Sequence, residues 1–369
     1  MKFARITLTL AMCLASLRLH GEVSEAVFGT TPDGQTIDIF TMQEGAIRAR
    51  VMTYGARLVS LEVPDRNGKT ADIVLGYDSL DQYLNDHRTF FGGIIGRYAN
   101  RIANAAFLLN GTRYHLPSNS GPNSLHGGTR GFDKCIWTGR IVPHGVELTL
   151  VSKDGDAGYP GTLSVRVRYT ITANSLRIDY IAATDTDTVL NLTSHSYFNL
   201  AGEGNGDILG HVLSIAADYY TPTNAVQIPT GQIAPVAGTP FDFRAPAAIG
   251  ARIDQDNEQL RYGKGYDINF VLRHSRGEGL HDAARVLEPN SGRVMAIKTT
   301  QPGLQFNSGN LFDGTIHGKH GHSYGKHASL CLEPQHFPDA PNHRNFPSTE
   351  LGAGQTFHQS TEYVFSTTQ

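Results

Sequence analysis

From Leu163 to Ile171 every odd-numbered position is apolar and every even-numbered one polar, the alternation of a strand with one buried and one solvated face. A second run, Leu176–Ile181, follows the turn residues Ala173-Asn174-Ser175, which predicts an antiparallel hairpin. Shorter apolar runs recur at Ile37–Phe40, Ile47–Met52, Leu58–Val63, Val146–Val151, Val212–Ala216 and Val294–Thr299, most of them bounded by Gly, Pro or Asn. Helical patterns are confined to short stretches such as Ser79–Leu84, with Ser79 placed to cap the first turn. Strands without intervening helices of roughly 10–15 residues argue against a parallel α/β sheet. They predict an all-β protein, a large antiparallel β-sandwich.

Composition agrees with many turns. The 369 residues include 40 glycines and 17 prolines, more than the roughly 12% of average usage. Charged residues make up 18% and the net charge is −3, so no cationic field exists to hold nucleic acid or an anionic membrane. With 40% hydrophobic residues the chain can bury a substantial core. At the N-terminus, Lys2 and Arg5 precede an apolar run from Ile6 to Leu17. That run is too short for a bilayer of about 30 Å but suits the core of a secretory signal. Residues 1–21 are expected to be a cleaved signal peptide, residues 25–369 a single domain, and the mature protein secreted or periplasmic, without membrane attachment. Cys13 raises the idea of a lipoprotein, but Met12 before it is larger than such signals normally allow. Removing the signal leaves Cys135 and Cys331, which are no disulfide framework.

Several segments place polar residues among glycines. Gly96-Arg97-Tyr98-Ala99-Asn100-Arg101-Ile102 carries two arginines four apart. Each could fork onto an oxygen-rich ligand or satisfy loop carbonyls. Pro122–Gly128 sets His126 beside two glycines, a position that suits a ligand or a structural turn. Asn191–Leu200 starts as a strand with Asn191, Thr193, His195 and Tyr197 on one face, a face costly to bury unless something polar lies against it. Asp267 stands just ahead of an apolar strand. Glu333 ends Ala328–Glu333, sharing a face with Ser329 and Cys331, and Pro334 is expected to stop that strand. A carboxyl there is expected to lose solvent, which raises its pKa and makes it a better base. Two histidines, two carboxylates, arginine and amides suit a neutral polyhydroxylated ligand and proton transfer. A nucleophile elbow, a phosphate loop with Lys and a His-Glu-x-x-His motif are all missing from the sequence.

These segments, together with residues 131–134, 154–161, 299–310 and 331–342, resemble in order and spacing the motif series of the aldose 1-epimerases, or galactose mutarotases, from about residue 27 to the end. The resemblance implies a β-sandwich of the galactose-mutarotase type. It also implies interconversion of the α and β anomers of free aldohexoses such as glucose and galactose, with no metal or cofactor. By the same resemblance Glu333 is the general base, His195 the general acid and His126 a second histidine near the ring oxygen. Arg101, Asp267 and Gln305 hold sugar hydroxyls, with Asn100 beside them. Ile268 stands where many members carry histidine and Asn307 where many carry tyrosine, which bears on sugar preference.

The expected partner is a small sugar, and the protein is expected to be a monomer or homodimer. Three alternatives stay open at this level. One is a non-catalytic sugar binder on the same sandwich. Another is a metalloenzyme using the histidines crowded between His317 and His343. The third is an epimerase of hexose 6-phosphates.

Overall fold

The computed structural model describes residues 21–86, 88–273 and 279–369. The expected signal segment therefore lies outside the described residues, apart from Gly21. The alternating run forms the strand Leu163–Ile171, paired antiparallel with Ser175–Thr184 so that Leu163 faces Thr184 and Ile171 faces Leu176. This hairpin lies within a nine-stranded antiparallel sheet. Its order is Thr138–Val142, Gly145–Ser152, Leu163–Ile171, Ser175–Thr184, Thr356–Thr367, Arg293–Thr299, His281–Leu287, Val212–Ile215 and Ala247–Ala248.

A six-stranded antiparallel sheet faces it, in the order Tyr197–Phe198, Leu330–Gln335, Gly303–Asn307, Asp267–Leu272, Ala217–Thr221 and Ala234–Pro235. Apolar residues of the two sheets meet in one buried cluster. Val165, Val167, Tyr169, Ile178 and Tyr180 come from the first, and Ile268, Phe270, Leu304, Phe306, Leu330 and Leu332 from the second. Burying each such side chain stabilises the fold by about 1.5–3 kcal/mol, so a one-residue slip of register would be strongly opposed. A five-stranded sheet built from residues 22–72 adds Phe40, Met42, Val51 and Leu61 to the same cluster. The short helix Leu80–Asn85 begins after Ser79, with Gln82 completing the reciprocal cap, and buries Leu80 and Tyr83.

Two local expectations are corrected. Asn191–Tyr197 is not one strand: Thr193–Ser194 pairs with Ile94–Ile95, and Tyr197–Phe198 pairs with Leu330–Cys331. Residues 190–200 are all buried, so the segment has no solvent face for alternation to mark. Pro334 does not stop its strand, which runs on to Gln335, with Pro334 opposite Leu304. Beyond Cys331 that strand is paired on one side only, where a residue lacking an N–H is tolerated.

Candidate active site

On the six-stranded sheet, most residues that alternate with the core set are polar, though Tyr197 and Cys331 also join a second apolar cluster. Asp267 lies opposite Asn307, Asn307 opposite Cys331, and Cys331 opposite Tyr197. Two positions along, Asn269 lies opposite Gln305 and Gln305 opposite Glu333. Strand periodicity therefore lays Asp267, Gln305, Cys331 and Glu333 on the face turned away from the apolar core.

Glu333 and His195 are the buried heart of this face. Glu333 Oε1 lies 3.7 Å from His195 Nε2, with side-chain exposures of 2% and 7%, and Glu333 Oε2 has no partner. Burial, aided by the negative charge of Asp267, pushes Glu333 up to about 8. Burial pushes His195 down to about 4, and the charge of Arg57 adds to that. Near neutrality the empty site therefore holds one proton on this pair, and it rests on Glu333. The His195 backbone is fixed by exchange with the loop above: its N–H donates to Gly93 O, and its C=O accepts from Gly92 N. Gly92 has φ +63°, and a Cβ there would come within 2.1 Å of Leu58 O, so only glycine fits. Cys331 sits beside His195, Sγ to Nδ1 3.6 Å, and donates its thiol proton to Ser196 O at 3.2 Å.

The second histidine completes a cluster of rings. His126 is 5.0 Å from His195 between ring centroids, and Phe90 lies 4.7 and 5.6 Å from the two. Asn100 N–H donates to His126 Nδ1 at 3.2 Å, which leaves the ring proton on Nε2, free to donate. Burial, together with the neighbouring His195 and Arg101, holds His126 well below its ordinary value, hence neutral. Gly127 follows it at φ +82°, where a Cβ would meet Gly96 O at 2.0 Å.

The two arginines of residues 96–102 part company. Arg97 is buried among carbonyls, with Nη1 on Pro160 O and Gly161 O at 2.7 and 2.8 Å and Nη2 on Ser152 Oγ at 2.7 Å. It is structural. Arg101 turns to the polar face. Its Nη2 donates to Gln227 Oε1 at 2.6 Å, its Nη1 reaches Asn100 Oδ1 at 3.4 Å, and its Nε has no partner. Asp267 accepts from Gln305 Nε2 at 2.7 Å and from Gln227 Nε2 at 2.6 Å. A cleft of about 660 Å³ adjoins this group over Phe90, Lys134, Tyr197, Asn307 and Phe312, within the range of small-ligand sites.

All seven residues singled out from the sequence, Asn100, Arg101, His126, His195, Asp267, Gln305 and Glu333, thus belong to this one region. Three neighbours were missed. Phe90 stands in an aromatic pair before Gly92-Gly93, a faint signal, Cys331 was noticed only as a strand residue, and Gln227 sits in a polar turn that gives no signal. The expected influence of Ile268 on the sugar is corrected: its side chain is in the core, opposite Phe306. Asn307 does face the site.

The crowded histidines have local partners instead of a shared centre. His317 meets Ser323, His322 meets Glu203, His327 meets Ser308 O, His336 meets Gln301 and His343 meets Asp339, while the His320 ring packs 5.9 Å from that of His322. Among the described residues the one group with metal-ligand spacing is His195, Cys331 and Glu333. There, burial and the charge of Glu333 push the Cys331 thiol well above its ordinary value.

An antiparallel sandwich with a buried carboxyl–imidazole pair among arginine, carboxylate and amide side chains on its polar face has the form of an enzyme site. The family model "Aldose 1-epimerase" matches residues 38–364, and the chain belongs to that family. It is 45% identical to the galactose mutarotase of Sus scrofa over 345 residues, covering 93% of this chain and 98% of that protein. To the aldose 1-epimerase of Escherichia coli K12 it is 39% identical over 341 residues, covering 90% and 96%. A solved GalM/aldose epimerase homologue from C. elegans superposes with a TM-score of 0.81 at 30% identity, over 95% of this chain and all of that one. The galactose 1-epimerase of Lactobacillus acidophilus gives a TM-score of 0.82 at 27% identity over the same shares. The protein is an isomerase that interconverts the α and β anomers of free aldoses.

Proposed function

We propose that Glu333 and His195 exchange protons with the two oxygens of the anomeric carbon, Glu333 at the C1 hydroxyl and His195 at the ring oxygen. The observation that carries this is the buried 3.7 Å pair with a carboxylate oxygen left unpartnered. A hemiacetal opens when its hydroxyl loses a proton while its ring oxygen gains one, so the acid and base must address two oxygens on the same carbon. Ring opening starts with the pair's proton on His195 and ends with it on Glu333. The open aldehyde turns about C1–C2 and closes on its other face, which returns the proton to His195. The pair regains its starting state and nothing is consumed. The empty site rests in the tautomer that closes the ring. A closed sugar that donates its C1 hydroxyl to the carboxylate lowers the cost of reaching the other tautomer, the one that opens the ring.

In this reading His126 Nε2–H steadies the ring oxygen, and Arg101, Asp267, Gln305 and Asn100 hold hydroxyls. Glucose and galactose are the sugars to try first, galactose because relatives are named for it. Polarimetry on freshly dissolved α-glucose and α-galactose tests the reading: wild type should abolish the slow drift in rotation, and Glu333→Gln should restore it. A Glu333→Gln enzyme as fast as wild type would falsify the assignment of the base.

Residues 1–21 are further proposed to be removed on export. Residues 25–369 would then act as one domain outside the cytoplasm, as a monomer or homodimer with no nucleic-acid partner. Among the described residues no helix is long and apolar enough to cross a membrane. An intact N-terminus on protein from its native host would overturn the export reading.

A further inference from the structure

Arg101 and Asp267 carry opposite charges at neighbouring half-buried positions, yet they form no ion pair. Gln227 stands between them, accepting from Arg101 Nη2 through Oε1 and donating to Asp267 Oδ2 through Nε2, both at 2.6 Å. The turn that presents it is firmly held. Gln227 has φ +59° and donates its N–H to Asn224 O, while Asn224 Oδ1 accepts from Val226 N and Ile228 N. Thr223 exchanges two bonds with the side chain of Gln259 in the helix Glu258–Gly263. The backbone under the amide is therefore fixed, and its two bonds to Arg101 and Asp267 orient the amide itself.

A half-buried carboxylate and guanidinium left facing each other can close into a direct, bidentate pair. Every donor and lone pair spent that way is lost to a ligand. An amide spacer prevents this because it has one acceptor end and one donor end. It takes one bond from each ion and leaves Arg101 Nε unpartnered and Asp267 with acceptor capacity. Gln305 Nε2 on the other Asp267 oxygen fixes the carboxylate plane.

We propose that Gln227 is the positioning residue of the sugar clamp, the spacer that keeps Arg101 and Asp267 apart so that each meets a sugar hydroxyl with hydrogen-bonding capacity to spare. This rests on the reading of Arg101 and Asp267 as hydroxyl-binding groups.

The test is the kinetics of Gln227→Leu and Gln227→Glu on α-galactose and α-glucose, with thermal melts and Glu333→Gln run alongside. Gln227→Leu lets the ions close, so KM should rise by roughly tenfold or more while kcat and melting temperature stay near wild type. Gln227→Glu adds a readout that a packing role would not move. When protonated, its carboxyl accepts from Arg101 and donates to Asp267 as the amide does. KM should therefore be near wild type at about pH 5 and approach the Gln227→Leu value by about pH 8, because two adjacent carboxylates resist double ionisation. An unchanged KM in Gln227→Leu, or parallel losses of kcat and melting temperature, would overturn the spacer. If Glu333→Gln is slow while Gln227→Leu keeps its KM, only the spacer fails. If Glu333→Gln stays fast, the reading of the site beneath it fails.

Discussion

Glu147 and Glu333 each sit on a strand inside a sheet, and each side chain is 2% exposed, yet their surroundings drive them in opposite directions. On the nine-stranded sheet Glu147 lies across from Arg140 and Arg168 and is ringed by Arg140, Arg168 and Arg166 at its two oxygens. Burial pushes its carboxyl up, but those hydrogen bonds and charges outweigh it and hold the group below its ordinary value. On the six-stranded sheet Glu333 makes no ion pair with an arginine; burial and then the negative Asp267 outweigh the Cys331 thiol and the charge of Arg101, and it is pushed up to about 8. A low side-chain exposure does not by itself set the direction of a carboxyl's shift. The two differ in depth and in partners: Glu147 lies under arginines that are themselves 63%, 46% and 45% exposed and fill its oxygens, whereas Glu333 is enclosed and keeps one oxygen without a hydrogen bond.

The largest test of that contrast is catalytic. Glu333→Gln keeps the shape but cannot take the proton, so kcat should fall by roughly 10²–10⁴, whereas Glu147→Gln should leave kcat unchanged. His195→Asn should match Glu333→Gln, and the double variant should be little worse than either, because both groups serve one concerted event. Equal kcat losses in Glu147→Gln and Glu333→Gln would erase the distinction between the sheets.

A smaller effect separates the pair from the groups around it. Arg101→Ala and Asp267→Ala should raise KM by roughly 10- to 100-fold if, as proposed, those side chains hold hydroxyls in ground and transition state alike. Steady-state kinetics on one sugar decides this: a fall in kcat with KM unchanged would move them into the chemical step.

The smallest effect is on stability, and its sign should reverse between the sheets. Glu333 ionises at about 8 when folded and near 4.5 when unfolded. As pH climbs through that window, the unfolded chain releases a proton that the fold retains, and wild type loses stability. Glu333→Gln should thus melt a few degrees above wild type at pH 8 and level with it at pH 4. Glu147, held low, contributes above its unfolded pKa and loses that contribution as pH falls through the folded value. Glu147→Gln should thus melt below wild type at pH 7 and converge with it in acid. Melting curves at both ends of the range check the crossing.

The two sheets also differ in how far they can be read from sequence. Leu163–Ile171 has one wet face, so its alternation states both strand and orientation. In Leu330–Gln335 every residue is buried. The same period-two rule still put Cys331 and Glu333 on one side, but it could not reveal that a strand with a proline would continue. The site residues were found through ordered motifs, not periodicity. Arg97 and Arg101 show why this was needed: they lie four residues apart in one segment, and only the carbonyls of residues 152–161, distant in sequence, make the first structural. Gln227 left no trace because its function depends on two charges, one 126 and the other 40 positions away along the chain.

The central claim is that one proton, shared by a desolvated Glu333 and His195, performs the reaction. The measurement that tests it most directly is the pH dependence of kcat/KM for anomerisation by the wild-type enzyme. The singly protonated pair exists between the two values, so the account predicts a plateau bounded by limbs near about 4 and about 8. A rate confined between about 4.3 and 6.5, where free glutamate and histidine titrate, would contradict it.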